Sequence, residues 1–251
     1  MIDSANITAS IVLYKQDQKE LLEAIKSFKE SNVTGKLFLI DNSPTNQIKN
    51  IIKDKSTEYL FNHKNYGFGA GHNQILEKIS DSQYHLILNP DVSFGPEVIG
   101  KLITELSKDE DLSMIAPKVF YQDGRLQYNA RRYPSLLGLA LRFLKVSNKY
   151  TKRKEYRNIN LNVPFIPDFI QGSFLLFKTK DLLSLKGFDQ RYFLYMEDVD
   201  ICKKIEKSGK KKMYYPHVHI HHTLKKGSSK NFRLFLIHIK SIFKYFLKWG
   251  F

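Results

Sequence analysis

Apolar positions along this chain fall into two recurring patterns. Nearly uninterrupted apolar runs occur at residues 7–14, 36–40, 58–61, 84–88 and 112–120, and they read as strands buried on both faces. Between them, residues 18–30 carry Leu21, Leu22, Ile25 and Phe28 at helical spacing. A second helix is expected after Asn73, to about residue 79. A third covers residues 96–106, with Pro96 near its first turn. Strands alternating with helices predict βαβ units, hence an α/β fold with a mostly parallel sheet covered on both faces. Polar turns follow the strand ends at Asp41, at residues 65–73 and at Asp91. Open α/β sheets bind their ligands at that edge.

Beyond residue 120 the pattern loosens. Residues 121–133 read as a polar loop holding Arg125, Arg131 and Arg132. Residues 136–146 are an apolar, partly basic helix candidate, and 147–162 a charged loop. A strand is expected over 169–178, running through Gln171, Gly172 and Ser173. A helix begins near Ile201, a short strand covers 211–215, and histidines follow at 217, 219, 221 and 222. On a strand the first three would share one face and His222 the other. A final helix is expected over 231–248.

Composition narrows this picture. At 251 residues and 42% hydrophobic, the chain can bury a sizeable core. The single cysteine, Cys202, excludes an internal disulfide and fits a reducing compartment. The first residues lack a basic stretch followed by an apolar one, and no apolar run approaches the ~20 residues of a membrane span. A cytoplasmic protein, soluble or peripheral to a membrane, is therefore expected. The net charge is +15, and from Lys203 onward thirteen Lys and Arg face one acid, Glu206. Such a tail attracts nucleic acid, anionic lipid or a diphosphate. From residue 231 the basic residues are interleaved with Phe, Leu, Ile and Trp, the pattern of an interfacial helix. A core helix with a solvated basic face suits the first half of that stretch nearly as well.

Candidate chemistry concentrates at a few places. Glu197, Asp198 and Asp200 lie between an aromatic run (Phe188, Tyr192, Phe193, Tyr195) and a helix start. One acid there is ordinary helix-dipole chemistry. Three beside a glycine turn suggest a carboxylate working as a base on a hydroxyl. Asp41 suits either an Asx turn or a nucleotide contact. Gly67, Gly69 and Gly71, flanked by Asn65 and Asn73, imply close backbone approach. Their spacing is neither the dinucleotide fingerprint nor a phosphate-binding P-loop. Asn89-Pro90-Asp91 ends an apolar strand, where Asp91 could hold a cation on substrate phosphates or simply shape a turn. The histidines do not form a closed zinc set with Cys202 as the only thiol.

Together these motifs resemble glycosyltransferase family 2. The resemblance rests on residues 11–14, 41–43, 65–73, 88–92, 131–134, 172–174 and 187–200. Within the family the chain looks like bacterial rhamnosyltransferases of O-antigen and related surface polysaccharides. The resemblance implies a GT-A fold, Rossmann-like, over residues 1–230, with a nucleotide-sugar-binding half (1–120) and an acceptor and catalytic half (121–230). Residues 231–251 would form a basic amphipathic helix. It assigns donor binding to Tyr14, Asp41, Asn65, Gly67, Gly69, Gly71, Asn73, Asn89 and Asp91. Arg131, Arg132, Gly172 and Ser173 would serve acceptor or phosphate. Asp91 and His222, with His219 and His221 as alternatives, would bind Mg2+ or Mn2+, Asn89 standing where the family has a further acid. Asp198 would be the base of an inverting transfer, with Glu197 beside it, and Asp200 would orient the helix. The expected donor is dTDP-L-rhamnose and the acceptor a polyprenyl-diphosphate-linked saccharide at an anionic membrane surface, on the inner face of the bacterial cell membrane. The alternatives are a different UDP- or GDP-sugar, or a non-catalytic protein binding nucleotide sugar or lipid. Nucleic acid is not expected as a partner, since the acidic cluster and strand-end loops would then be idle.

Overall fold

A computed structural model describes residues 6–52, 56–136, 138, 148–223 and 231–250. The first half runs β1 (Ile7–Leu13), α1 (Gln18–Lys29), β2 (Gly35–Asp41), β3 (Thr57–Phe61), α2 (Phe68–Asn73), β4 (Tyr84–Leu88), β5 (Val92–Phe94), α3 (Val98–Ser107) and β6 (Leu112–Phe120). The second half runs β7 (Leu126–Gln127), β8 (Ala130–Arg131), α4 (Asn148–Lys154), β9 (Phe169–Ile170), β10 (Phe174–Lys178), α5 (Thr179–Ser184), α6 (Glu197–Lys207), β11 (Lys211–His222) and α7 (Phe232–Trp249).

The main sheet has the order β3-β2-β1-β4-β10-β6-β11-β5, with β7 paired to β6. β3, β2, β1 and β4 are parallel, as are β6 and β11, while β10 runs antiparallel between β4 and β6. Both faces are covered, which is why β4 and β10 read as continuous apolar runs. One face packs on Leu21, Ala24, Ile25 and Phe28 of α1 and on Val98, Ile99, Leu102 and Ile103 of α3. The other packs on Leu182 of α5, Val199, Ile201 and Ile205 of α6, and Ile242, Tyr245 and Phe246 of α7. α1 starts where expected because the Asp17 carboxylate accepts the N–H groups of Lys19 and Glu20.

Six expectations change. The helix expected after Asn73 starts at Phe68, inside the glycine-rich stretch, and only a 3-10 turn follows over Leu76–Ile79, while the loop expected over 121–133 contains β7 and β8. The strand expected over 169–178 is two strands in different sheets: β9 pairs with β8, β10 joins the main sheet, and residues 171–173 turn between them. The strand expected to end at 215 continues to His222, and a register shift against β6 between Tyr215 and His219 accommodates Pro216, which has no N–H for the ladder. Part of the charged loop expected over 147–162 is α4. In α7 the second half, not the first, enters the core. The helix candidate over 136–146 lies outside the described residues apart from positions 136 and 138.

Candidate active site

The acids open α6. Tyr195 (φ 68°) and Met196 (φ 70°) precede them in the left-handed region, an uncommon backbone for non-glycine residues. Asp198 stays partly exposed, while Glu197 is buried. Asp198 accepts the N–H of Val199 at 2.8 Å and that of Gly172 at 3.3 Å. Burial raises the pKa of both carboxyls, and the Asp198 charge raises that of Glu197 further. Glu197 Oε2 has no donor. Two adjoining acids in such a place share one proton. Glu197, more buried and less solvated by donors, is the better placed of the two to keep a proton, and Asp198, with two N–H groups, the better placed to ionise.

The turn at 171–173 ties this carboxylate to the strand ends. While Gly172 donates to Asp198, the Ser173 carbonyl accepts the N–H of Asn89 at 2.9 Å. Two residues on, Asp91 Oδ1 lies 3.3 Å from His222 Nε2. His222 is the buried member of its run, and His217, His219 and His221 point the other way, as alternation predicts. Its Nδ1 lies 3.1 Å from Gln127 Oε1, and its Nε2 lies 3.5 Å from Asn89 Nδ2. Asn89 Oδ1 is buried without a partner. A carboxylate and an imidazole nitrogen 3.3 Å apart, beside an amide whose oxygen has no partner, fit a divalent cation. Only two His, Cys, Asp or Glu side chains converge here, and among the described residues no cluster of three is suited to a metal. Substrate phosphates and water would have to complete the shell.

The glycine-rich stretch earns its glycines inside the protein. A Cβ on Gly67 (φ 88°) would sit 2.0 Å from the Phe193 carbonyl oxygen, which accepts the N–H of Phe68. One on Gly69 would meet Phe188 at 2.8 Å, and one on Gly71 would meet Val12 at 2.8 Å. Asn65 Oδ1 accepts the Gly67 N–H, shaping the loop, and Asn73 brackets Phe188, donating to its carbonyl and accepting its N–H. α2 is thereby clamped to the segment leading into the acids.

Other expected residues are placed as follows. Tyr14 is half-exposed at the end of β1. Asp41 is fully buried, its Oδ1 accepting the Ser43 N–H and its Oδ2 the Tyr59 hydroxyl at 2.6 Å. The Asx turn therefore occupies it, and a nucleotide contact would need Tyr59 displaced. Arg131 pairs with buried Glu155 at 3.1 Å, and its charge still favours ionised Asp198. The Arg132 guanidinium stacks on Tyr156, with Nε unpartnered. Phe188 and Tyr192 are core; Phe193 and Tyr195 remain half-buried.

Three contacts were not legible in the sequence. Asn42 joins the end of β2 to the glycine loop through the Gly67 carbonyl. Gln127 touches His222, and nothing local marks it. Asp200 is fully buried, and its Oδ1 receives Lys248 Nζ and Trp249 Nε1, each at 2.7 Å. The aromatic and basic end of α7 was the one available signal for that contact.

Comparison with known proteins completes the picture. The family described as Glycosyl transferase family 2 matches residues 9–179. Rhamnosyltransferase WbbL of Escherichia coli (strain K12) is 29% identical over 240 residues, covering 90% of this chain and 86% of that protein. The N-acetylglucosaminyl-diphospho-decaprenol L-rhamnosyltransferase of Mycobacterium tuberculosis (strain CDC 1551 / Oshkosh) is 28% identical over 173 residues, covering 63% of this chain and 56% of that protein. The structure of GalNAc-T7 with UDP, GalNAc and Mn2+ aligns with a TM-score of 0.67 at 16% identity, over 86% of this chain and 43% of that one. The Pyrobaculum calidifontis mannosyltransferase PcManGT, in complex with GDP-Man and Mn2+, gives 0.65 at 14% identity, over 95% and 63%. The GT-A fold is common to them.

Proposed function

The chain belongs to glycosyl transferase family 2, and on that premise we propose that it is an inverting enzyme moving L-rhamnose from dTDP-L-rhamnose onto a polyprenyl-diphosphate-linked saccharide in bacterial surface-polysaccharide synthesis. The observation that carries the chemistry is the turn at 171–173. It holds Asp198 from one residue and the Asn89-Pro90-Asp91 strand end from the next. A base and a diphosphate corner on one rigid turn are what a single displacement requires.

Asp198 takes the proton from an acceptor hydroxyl. The oxygen bonds to the anomeric carbon from the face opposite the diphosphate, the bond to the leaving oxygen breaks, and the pair stays on the nucleoside diphosphate. Asn89, Asp91 and His222 would hold Mg2+ or Mn2+, whose charge offsets that of the leaving group when bound. Neutral Glu197 keeps a second negative charge away from the base. The donor sugar follows the two rhamnosyltransferase relatives. The lipid-linked acceptor follows the name of the mycobacterial one.

A lipid-linked acceptor places the enzyme at a membrane, and α7 supports a peripheral position on the inner face. Phe232, Leu236, Ile239, Phe243 and Leu247 are exposed along it, and α7 contains no acid. Among the described residues no helix is long and apolar enough to cross a membrane. The deciding experiment is a panel of nucleotide sugars, scored by thermal stabilisation and slow donor hydrolysis. At a hundred times Kd the true donor should add about 3 kcal/mol. A preference for a UDP- or GDP-sugar would replace rhamnose, and the absence of any response would overturn the enzyme reading.

A further inference from the structure

We infer that Gln127 is a positioning residue that fixes the tautomer of His222 for metal binding, an inference that rests on the cation corner described above. β7 pairs with β6 so that Gln127 lies opposite Val119, and its side chain is 4% exposed. β11 carries His222 to the same corner in register with Val92 of β5. Between them is one contact, Gln127 Oε1 to His222 Nδ1 at 3.1 Å. An amide oxygen only accepts, so Nδ1 must carry the proton. A neutral imidazole then presents a lone pair at Nε2.

That lone pair faces Asp91 Oδ1 at 3.3 Å. A carboxylate oxygen and a lone pair at that distance repel unless a cation lies between them. The neighbouring Asn89 presents its Nδ2 to His222 at 3.5 Å, too long to satisfy the lone pair by itself, and its buried Oδ1 has no partner. Gln127 therefore orients the ring and assigns its protons, a role often taken by a carboxylate or carbonyl behind a metal-bound histidine. Without it, Nε2 can carry the proton and hydrogen-bond to Asp91, which closes the site to a metal.

The test is Mn2+ titration of the full chain followed by electron paramagnetic resonance, with and without dTDP. Gln127→Leu should weaken Mn2+ about 10- to 100-fold. Gln127→Glu, which keeps an acceptor, should stay near the wild-type affinity. A packing role predicts the reverse order, since a buried site tolerates leucine better than a carboxylate. Asp91→Ala separates the two layers of argument. If it loses Mn2+ and Gln127→Leu does not, the inference falls and the metal site stands; if it binds Mn2+ like wild type, both fall. Should the leucine variant fail to fold, nitrogen-15 spectra of the metal-free wild type decide alone. A proton on Nδ1 of His222 supports the inference, and one on Nε2 overturns it.

Discussion

The two corners of the site are built differently. The cation corner sits on strand ends: Asn89 after β4, Asp91 before β5, His222 closing β11, Gln127 in β7. Its side chains contact one another, and the sheet ladders fix the backbones of His222 and Gln127. The base corner sits where a loop enters a helix through two left-handed residues, Tyr195 and Met196, with no capping side chain. Such backbone costs of order 1–3 kcal/mol per residue and persists only where surroundings over-determine it. Those surroundings are borrowed. α2 presses from one side through Gly67 and Gly69, the 171–173 turn grips Asp198, and α7 holds Asp200. A sheet supplies its own precision, whereas a loop must be supplied with it from far along the chain.

The comparison breaks most sharply at the acids. Asp198→Asn should cut sugar transfer about 10²- to 10⁴-fold, the range of a lost general base, with nucleotide affinity unchanged in a calorimetric titration. Glu197→Gln should stay within about tenfold, because a protonated acid and an amide are alike in charge and size. Equal losses in the two variants would show that Glu197 is ionised and shares the work. The pKa of Asp198 is raised by burial. A base must be ionised to act, so the acid limb of kcat/KM should lie above the ordinary aspartate value of about 4.

The next effect lies on α7. Lys248→Met removes the cation from the fully buried Asp200 and should cost roughly 3–5 kcal/mol in urea unfolding. Trp249→Phe removes one donor and should cost less, about 1.5–3 kcal/mol. In a folded Trp249→Phe protein, donor binding should hold while kcat falls, because only the base corner loses support. If Mn2+ affinity fell in step, the two corners would be one unit.

What could be read from sequence follows the same division. The strand ends of the first half, the Asx turn at Asp41, the start of α1 and the outward alternation of His217, His219 and His221 all have local causes, and local pattern predicts them. The glycines were visible as close approaches, but not what they approach: Phe188 and Phe193 lie some 120 residues later. The break at 171–173 was hidden because Phe169–Ile170 and Phe174–Lys178 are equally apolar, although they pair in different sheets. Gln127 and the Asp200 contact depend on which strands and helices meet, and one sequence alone does not carry that information.

A smaller effect reaches the base corner through α2. Ser10 Oγ, in the middle of β1, bridges His72 Nδ1 of α2 and His85 Nε2 of the neighbouring strand β4. Burial lowers the pKa of both rings, that of His85 to about 3, and His85 lowers that of His72 further. The folded protein thus refuses protons that the unfolded chain accepts. Their stabilisation is complete above the unfolded value near 6.5 and is lost as pH falls, for His85 down to about 3, at roughly 1 kcal/mol per pH unit for each histidine. Glu197 and Asp198, with raised values, oppose this slope. The useful measurement is therefore the difference between wild type and His72→Gln across pH 7 to 5. A difference that does not change with pH would mean that His72 is not held neutral.

The smallest effect on folding is expected at Phe243, and it tests what lies outside the base corner. Phe243 is 60% exposed, in line along α7 with exposed Leu236, Ile239 and Leu247, whereas Ile242, Tyr245 and Phe246 are core. Phe243→Ser should change unfolding free energy by less than about 0.5 kcal/mol, as surface changes do. Its cost should appear with lipid. Burying a phenylalanine in an interface is worth about 1.5–3 kcal/mol, so affinity for phosphatidylglycerol vesicles should fall roughly tenfold or more. Arg233 and Lys240 on the same helix should make binding to neutral phosphatidylcholine weaker and raising salt should weaken the anionic case. If Phe243→Ser binds both vesicles as wild type does, the apolar stripe is not a lipid contact. The helix would then serve only as the inward brace of Asp200, and the base corner would be supported from inside the protein alone.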